Sequence, residues 1–130
     1  MTDFELLKKD LPPEEMAVEL RHQGFSCCQA VVGVLTDDPL LLQAASGFGG
    51  GMGNTQGPCG ALIGAVIAAG VKTEGKGRGR VTNQLRDKFR ESCGAVICRD
   101  LKGLDTGTVL CSCDDCVRSG VKVFREVLGD

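Results

Sequence analysis

The chain contains no tryptophan, no tyrosine and only one histidine, His22. Without indole or phenol its own absorbance is nearly silent above the phenylalanine and thiol bands, so a bound chromophore would stand out. A single histidine gives a histidine-rich zinc centre or a Cys-His nucleophile pair little to draw on, and His22 reads as a surface or helix-end residue. No Cys-x-x-Cys-His occurs, which excludes covalent haem attachment within the chain. Strand signals are scarce: there is no Asn-Gly or Asp-Gly pair and no sustained period-two alternation. Long apolar runs are missing too. The longest, residues 59–71, falls short of the roughly 20 residues a membrane span needs. The opening Met1-Thr2-Asp3-Phe4-Glu5 is acidic and has no apolar signal-peptide region, so the expectation is a cytoplasmic protein without a membrane partner.

Charge of one sign is also lacking. A formal net charge of -2 gives no general attraction to nucleic acid or anionic lipid. One stretch departs from this balance, with Lys72, Lys76, Arg78, Arg80, Arg86, Lys88 and Arg90 facing only Glu74 and Asp87. It reads first as a solvated loop and helix face, with a docking patch for an acidic partner as the alternative. Phosphate-binding signatures fail. The glycine run satisfies G-x-G-x-x-G at no register, and Gly77 stands where a phosphate loop opening at Gly70 needs Ser or Thr.

What is present is helix and cysteine. The 130 residues fit one domain, 1–130, with 1–11 as a peripheral N-terminal segment, and 42% hydrophobic content supports a packed core. The pattern predicts an all-α protein, a single compact bundle of five to six helices with a glycine-rich loop before the central one. A short helix is expected at 2–9. Pro13 with Glu14 and Glu15 opens a helix that Gly24 stops, and Ser26 caps the next. Residues 39–46 form a short helix, and Gly47-Phe48-Gly49-Gly50-Gly51-Met52-Gly53 cannot be regular helix. Pro58 restarts a central, thin, glycine-lined helix over 58–70, which could also support a homodimer. A basic connection at 75–79 leads to an amphipathic helix over 80–92, with Val81, Leu85 and Phe89 spaced by four. A turn or short helix at 96–101 precedes the last helix, 113–128, with Val117, Val121, Phe124 and Leu128 inward.

Eight cysteines, Cys27, Cys28, Cys59, Cys93, Cys98, Cys111, Cys113 and Cys116, are a disulfide framework in a small secreted chain but metal-binding or catalytic groups in a cytosolic one. Cys27, Cys59 and Cys113 fall in the first turns of three helices, each on the apolar stripe, so their sulfurs should point inward at helix N-termini. Free N–H groups and the macrodipole there favour a thiolate, which serves as nucleophile or metal ligand. Amides of the glycine run could add hydrogen bonds to such sulfurs, and Gly51 in that run and Gly60 beside Cys59 join the cofactor-binding set. Cys98 and the Cys111-x-Cys113-x-x-Cys116 cluster add further ligands, and the Cys-x-x-Cys also has the layout of a thiol–disulfide site. Cys27 and Cys28 are adjacent and point to different helix faces, so both cannot easily serve one site.

Several stretches carry a family resemblance: Gly24-Phe25-Ser26-Cys27-Cys28-Gln29-Ala30-Val31, Phe48-Gly49-Gly50-Gly51-Met52-Gly53, Gly57-Pro58-Cys59-Gly60-Ala61-Leu62-Ile63-Gly64 and Cys98-Arg99-Asp100-Leu101-Lys102-Gly103, with Cys113 before the last helix. Over about residues 12–128 the chain resembles the C_GCAxxG_C_C family, named for its spaced cysteines and described as redox-active. The resemblance maps the family cysteines onto Cys27, Cys59, Cys98 and Cys113, with Cys111 or Cys116 as alternatives for the last, and Cys28 and Cys93 are extras. The family is similar to the iron–sulfur domain of split-Soret cytochromes c, which implies a cluster on these cysteines. The leading expectation is a [2Fe–2S] electron carrier serving a protein redox partner. The alternatives are a dithiol–disulfide oxidoreductase, with Cys59 or Cys113 attacking and Cys116 or Cys98 resolving, and a zinc-stabilised interaction module.

Overall fold

The computed structural model describes residues 11–129, and the expected helix at 2–9 lies outside them. Seven α-helices follow one another: α1 (Pro13–His22), α2 (Cys27–Leu35), α3 (Pro39–Ala44), α4 (Gly60–Lys72), α5 (Arg78–Cys93), α6 (Cys98–Lys102) and α7 (Cys113–Leu128). Among the described residues there is no strand, only an isolated bridge between Pro58 and Ile97. The all-α expectation therefore holds, with two short helices, α3 and α6, bringing the count slightly above five to six.

The helix boundaries follow local chemistry. Pro13 opens α1 with Glu14 and Glu15 in the first turn. Ser26 starts α2 through a complete capping box: its hydroxyl accepts from the Gln29 amide and the Gln29 side chain accepts from the Ser26 amide. Such a cap contributes about 1 kcal/mol. The expected 39–46 helix is α-helical only to Ala44 and tightens to a 3-10 turn at Ala45–Phe48. The glycine run then winds into a wide turn, Gly51–Thr55, in which Gly51, Met52 and Gly53 all have positive φ.

Two starts differ from expectation. The central helix begins at Gly60 instead of Pro58, because Pro58 is held in the bridge to Ile97 and the Cys59 amide donates to Val96 O at 2.8 Å. The fourth interhelix connection ends earlier than 79. Glu74 and Gly75 turn the chain in the left-handed region, so α5 is already under way at Arg78.

Helix α4 packs against α2, α5 and α7, and α1 closes over α2 and α7. Val81, Leu85 and Phe89 from α5 and Val117, Val121 and Phe124 from α7 are buried as their spacing predicts, each contributing about 1.5–3 kcal/mol, while Leu128 is partly buried. The helices approach closely because facing positions carry glycine. A Cβ at Gly64 would lie 2.9 Å from Cys28 O, and one at Gly120 would lie 2.7 Å from Ala61 O. Ion pairs fix α1 on α7: Arg118 donates to both Glu15 carboxylate oxygens at 2.9 and 3.0 Å, and Arg21 donates to Asp114 at 2.9 Å. His22 Nε2 lies 2.9 Å from Asp114 as well, so the lone histidine is a helix-end residue as expected. No helix among the described residues is long and apolar enough to cross a membrane.

Candidate cysteine centre

Four helix N-termini meet at one end of the bundle, and each delivers a cysteine. Cys27 is the first residue of α2, Cys98 of α6 and Cys113 of α7, while Cys59 is the N-cap of α4. The sulfur-bearing residue of α4 thus sits one position before the helix rather than inside its first turn. All four line a single cavity of about 410 Å³, together with Cys111 and Cys116. No disulfide joins any of the eight cysteines.

The placement of each is built locally. The Pro58–Ile97 bridge clips two distant segments together, with the Cys59 amide donating to Val96 O and the Cys98 amide to Gly57 O at 3.0 Å. Gly57 in turn donates to Gly51 O at 3.0 Å, tying the glycine turn under Cys98. Ser112 caps α7 by accepting from the Asp115 amide at 3.1 Å, which sets Cys113 at the helix mouth. The two expected cofactor-side glycines are close to sulfur. A Cβ at Gly51 would lie 2.6 Å from Cys98 Cβ and 3.3 Å from its Sγ, and one at Gly60 would lie 2.5 Å from Cys27 Sγ.

Charge at the centre settles on Cys59. Its thiol is lowered to about 3 by hydrogen bonds from Cys116 and Cys27, against the pull of burial and with help from the Ala61 and Leu62 amides. Cys27 and Cys116, which donate to it, are pushed up in turn, so among these three thiols the negative charge is favoured on Cys59. Burial raises Cys98, with Lys102 offsetting part of the effect. Arg21 also lines the cavity, with its guanidinium paired to Asp114.

A second grouping adjoins the first. The sulfurs of Cys93, Cys111 and Cys116 all lie within 4.8 Å of one another, the only such group among the described residues. Cys93 is lowered to about 6, chiefly by a hydrogen bond from Cys116, with Ser119, Cys111 and Ser92 assisting against burial. Burial raises Cys111 to about 12. Because the single Cys116 thiol proton is within reach of both Cys59 and Cys93, the two groupings form one continuous sulfur network.

Cys93 is the residue that sequence reasoning left as an extra. The signal was present, since Cys93 continues the spacing of Val81, Leu85 and Phe89 on the buried face of α5. Cys28 stays outside both groupings. It is fully buried with Val32 and Ala45, and burial raises its thiol to about 12.

A family model described as "Putative redox-active protein (C_GCAxxG_C_C)" matches residues 25–127. No curated protein and no solved structure matches the chain.

Proposed function

The chain belongs to the C_GCAxxG_C_C family, and from that premise we propose that it carries single electrons on a [2Fe–2S] cluster held by Cys27, Cys59, Cys98 and Cys113. The observation that carries this reading is the convergence of four helix N-termini, each bearing one of these cysteines, on one cavity. The donor set fits the group. Four thiolates suit a two-iron cluster, and the ends of α2, α4 and α7 favour its negative charge. A single tetrahedral ion with metal–sulfur bonds of about 2.3 Å needs tightly gathered sulfurs. These four form no group within 4.8 Å; they are spread around the cavity wall, which favours a cluster over one zinc.

When bound, such a cluster accepts one electron and returns it. The chain's own residues prepare the site. Cys59 is held towards its thiolate, while Cys27 and Cys98 are raised and their protons must leave on loading, so binding weakens as pH falls. Lys102 offsets part of the charge that accumulates. Gly51 and Gly60 leave their Cβ space to Cys98 and Cys27. The setting we propose is a reducing, cytoplasmic one, and a protein redox partner would meet the centre at the cavity mouth.

The test is the absorbance spectrum of protein purified without oxygen, before and after dithionite. Visible charge-transfer bands that bleach on reduction are expected. A featureless spectrum from iron-free protein, even after iron and sulfide reconstitution, overturns the reading.

One observation favours a second reading. The Cys59 thiolate with Cys116 as hydrogen-bonded neighbour has the form of an attacking and a resolving thiol. Cys59 would open a substrate disulfide to a mixed disulfide, and Cys116 would then displace the second substrate thiol. The chain would lose two electrons and the disulfide would gain them. That protein would be colourless and its free-thiol count would fall by two on oxidation.

A further inference from the structure

We propose that Cys93, Cys111 and Cys116 form a second metal site, beside the Cys27, Cys59, Cys98 and Cys113 set and using none of its sulfurs, that binds one thiophilic d10 cation, zinc or monovalent copper. The three sulfurs come from three places: the last residue of α5, the segment before α7 and the first turn of α7. They nevertheless gather within 4.8 Å, the compactness a single ion requires and no three of Cys27, Cys59, Cys98 and Cys113 show. Soft thiolates select these cations. Monovalent copper is satisfied by three thiolates, whereas zinc takes a fourth ligand.

A buried polar group points to the same place. Ser119 is only 4% exposed, no nitrogen or oxygen satisfies its hydroxyl, and it faces the Cys93 sulfur. A hydroxyl so placed is a natural donor to a metal-bound thiolate, an outer contact that orients a ligand. The ion also has its own approach. Cys111 is half-buried and lines, besides the main cavity, a shallow groove with Ser92, Ser119 and Lys122. The seven cysteines outside the Cys28 core thereby divide into a spread set of four and a compact set of three. The proposal does not depend on the cluster reading.

The experiment uses the full chain, purified without oxygen and titrated separately with zinc and with monovalent copper against a chromophoric chelator. The wild type is expected to hold one equivalent of at least one of them. Cys93→Ser should weaken that binding by more than about tenfold, since even an outer-contact change at a metal site typically costs 10- to 100-fold. Its iron content and visible spectrum should match the wild type. Cys111→Ser, at a half-buried position, provides the same test if Cys93→Ser fails to fold. Preference for one cation assigns the ion. No high-affinity equivalent in the wild type, or full binding in both variants, overturns the site. Loss of iron in Cys93→Ser overturns its separateness. Zinc or copper bound to a chain that takes no iron leaves this proposal standing and removes the cluster.

Discussion

Cys59→Ser should purify as a folded helical protein with its iron reduced from full occupancy to near zero and its visible bands gone. The Cys59 sulfur has four hydrogen-bond partners: Cys27 and Cys116 donate to it, and the Ala61 and Leu62 amides add to its stabilisation as a thiolate. A serine hydroxyl fills nearly the same space but does not ionise near neutral pH, so the ligand is lost while the bridge beside it remains, because that bridge uses backbone atoms alone. Circular dichroism and elemental analysis of one sample separate loss of metal from loss of fold. Cys28→Ala serves as the control. Its sulfur packs among Val32 and Ala45 away from the cavity, so iron should be retained at a modest cost in stability. Full iron in Cys59→Ser would remove Cys59 from the ligand set.

The same glycine-to-alanine change should have opposite signs at two positions of α4. At Gly70 a Cβ meets nothing within 4 Å, and alanine should stabilise the helix by about 0.5–1 kcal/mol. At Gly60 it would lie 2.5 Å from Cys27 Sγ, 2.7 Å from Phe48 O and 3.2 Å from the Cys28 amide nitrogen. Two of those three are backbone atoms that cannot turn aside, so overpacking outweighs helix propensity and a net loss of about 1–3 kcal/mol is expected. Displacing the Cys27 sulfur should also remove most of the iron. Urea unfolding of both variants, with iron measured alongside, checks the sign. Gly60→Ala as stable and as iron-rich as the wild type would show that the close approach is not required.

How much of this was legible before folding depended on the range of the signal. Ser26 with Gln29, Pro13 with its two glutamates, and the four-residue spacing of Val81, Leu85 and Phe89 act within a turn or two, and the helices lie where those residues put them. That Cys27, Cys59 and Cys113 stand at helix starts followed from the same local cues. The meeting of Cys59 with Cys98 did not. It rests on a backbone bridge between Pro58 and Ile97, and nothing in the composition of either segment announces a partner so far along the chain. The glycine run was readable as non-helical, yet its wide turn at Gly51–Thr55 and its contact with Cys98 depend on the packed bundle. Cys93 lay on a readable stripe, but only the docking of α5 against α7 brings it to Cys116.

The central claim is that the cavity cysteines hold a two-iron cluster, and it is tested most directly by counting iron and acid-labile sulfide per chain after anaerobic reconstitution. The account predicts about two of each, the composition of a [2Fe–2S] centre. Iron without sulfide, or neither, would contradict it.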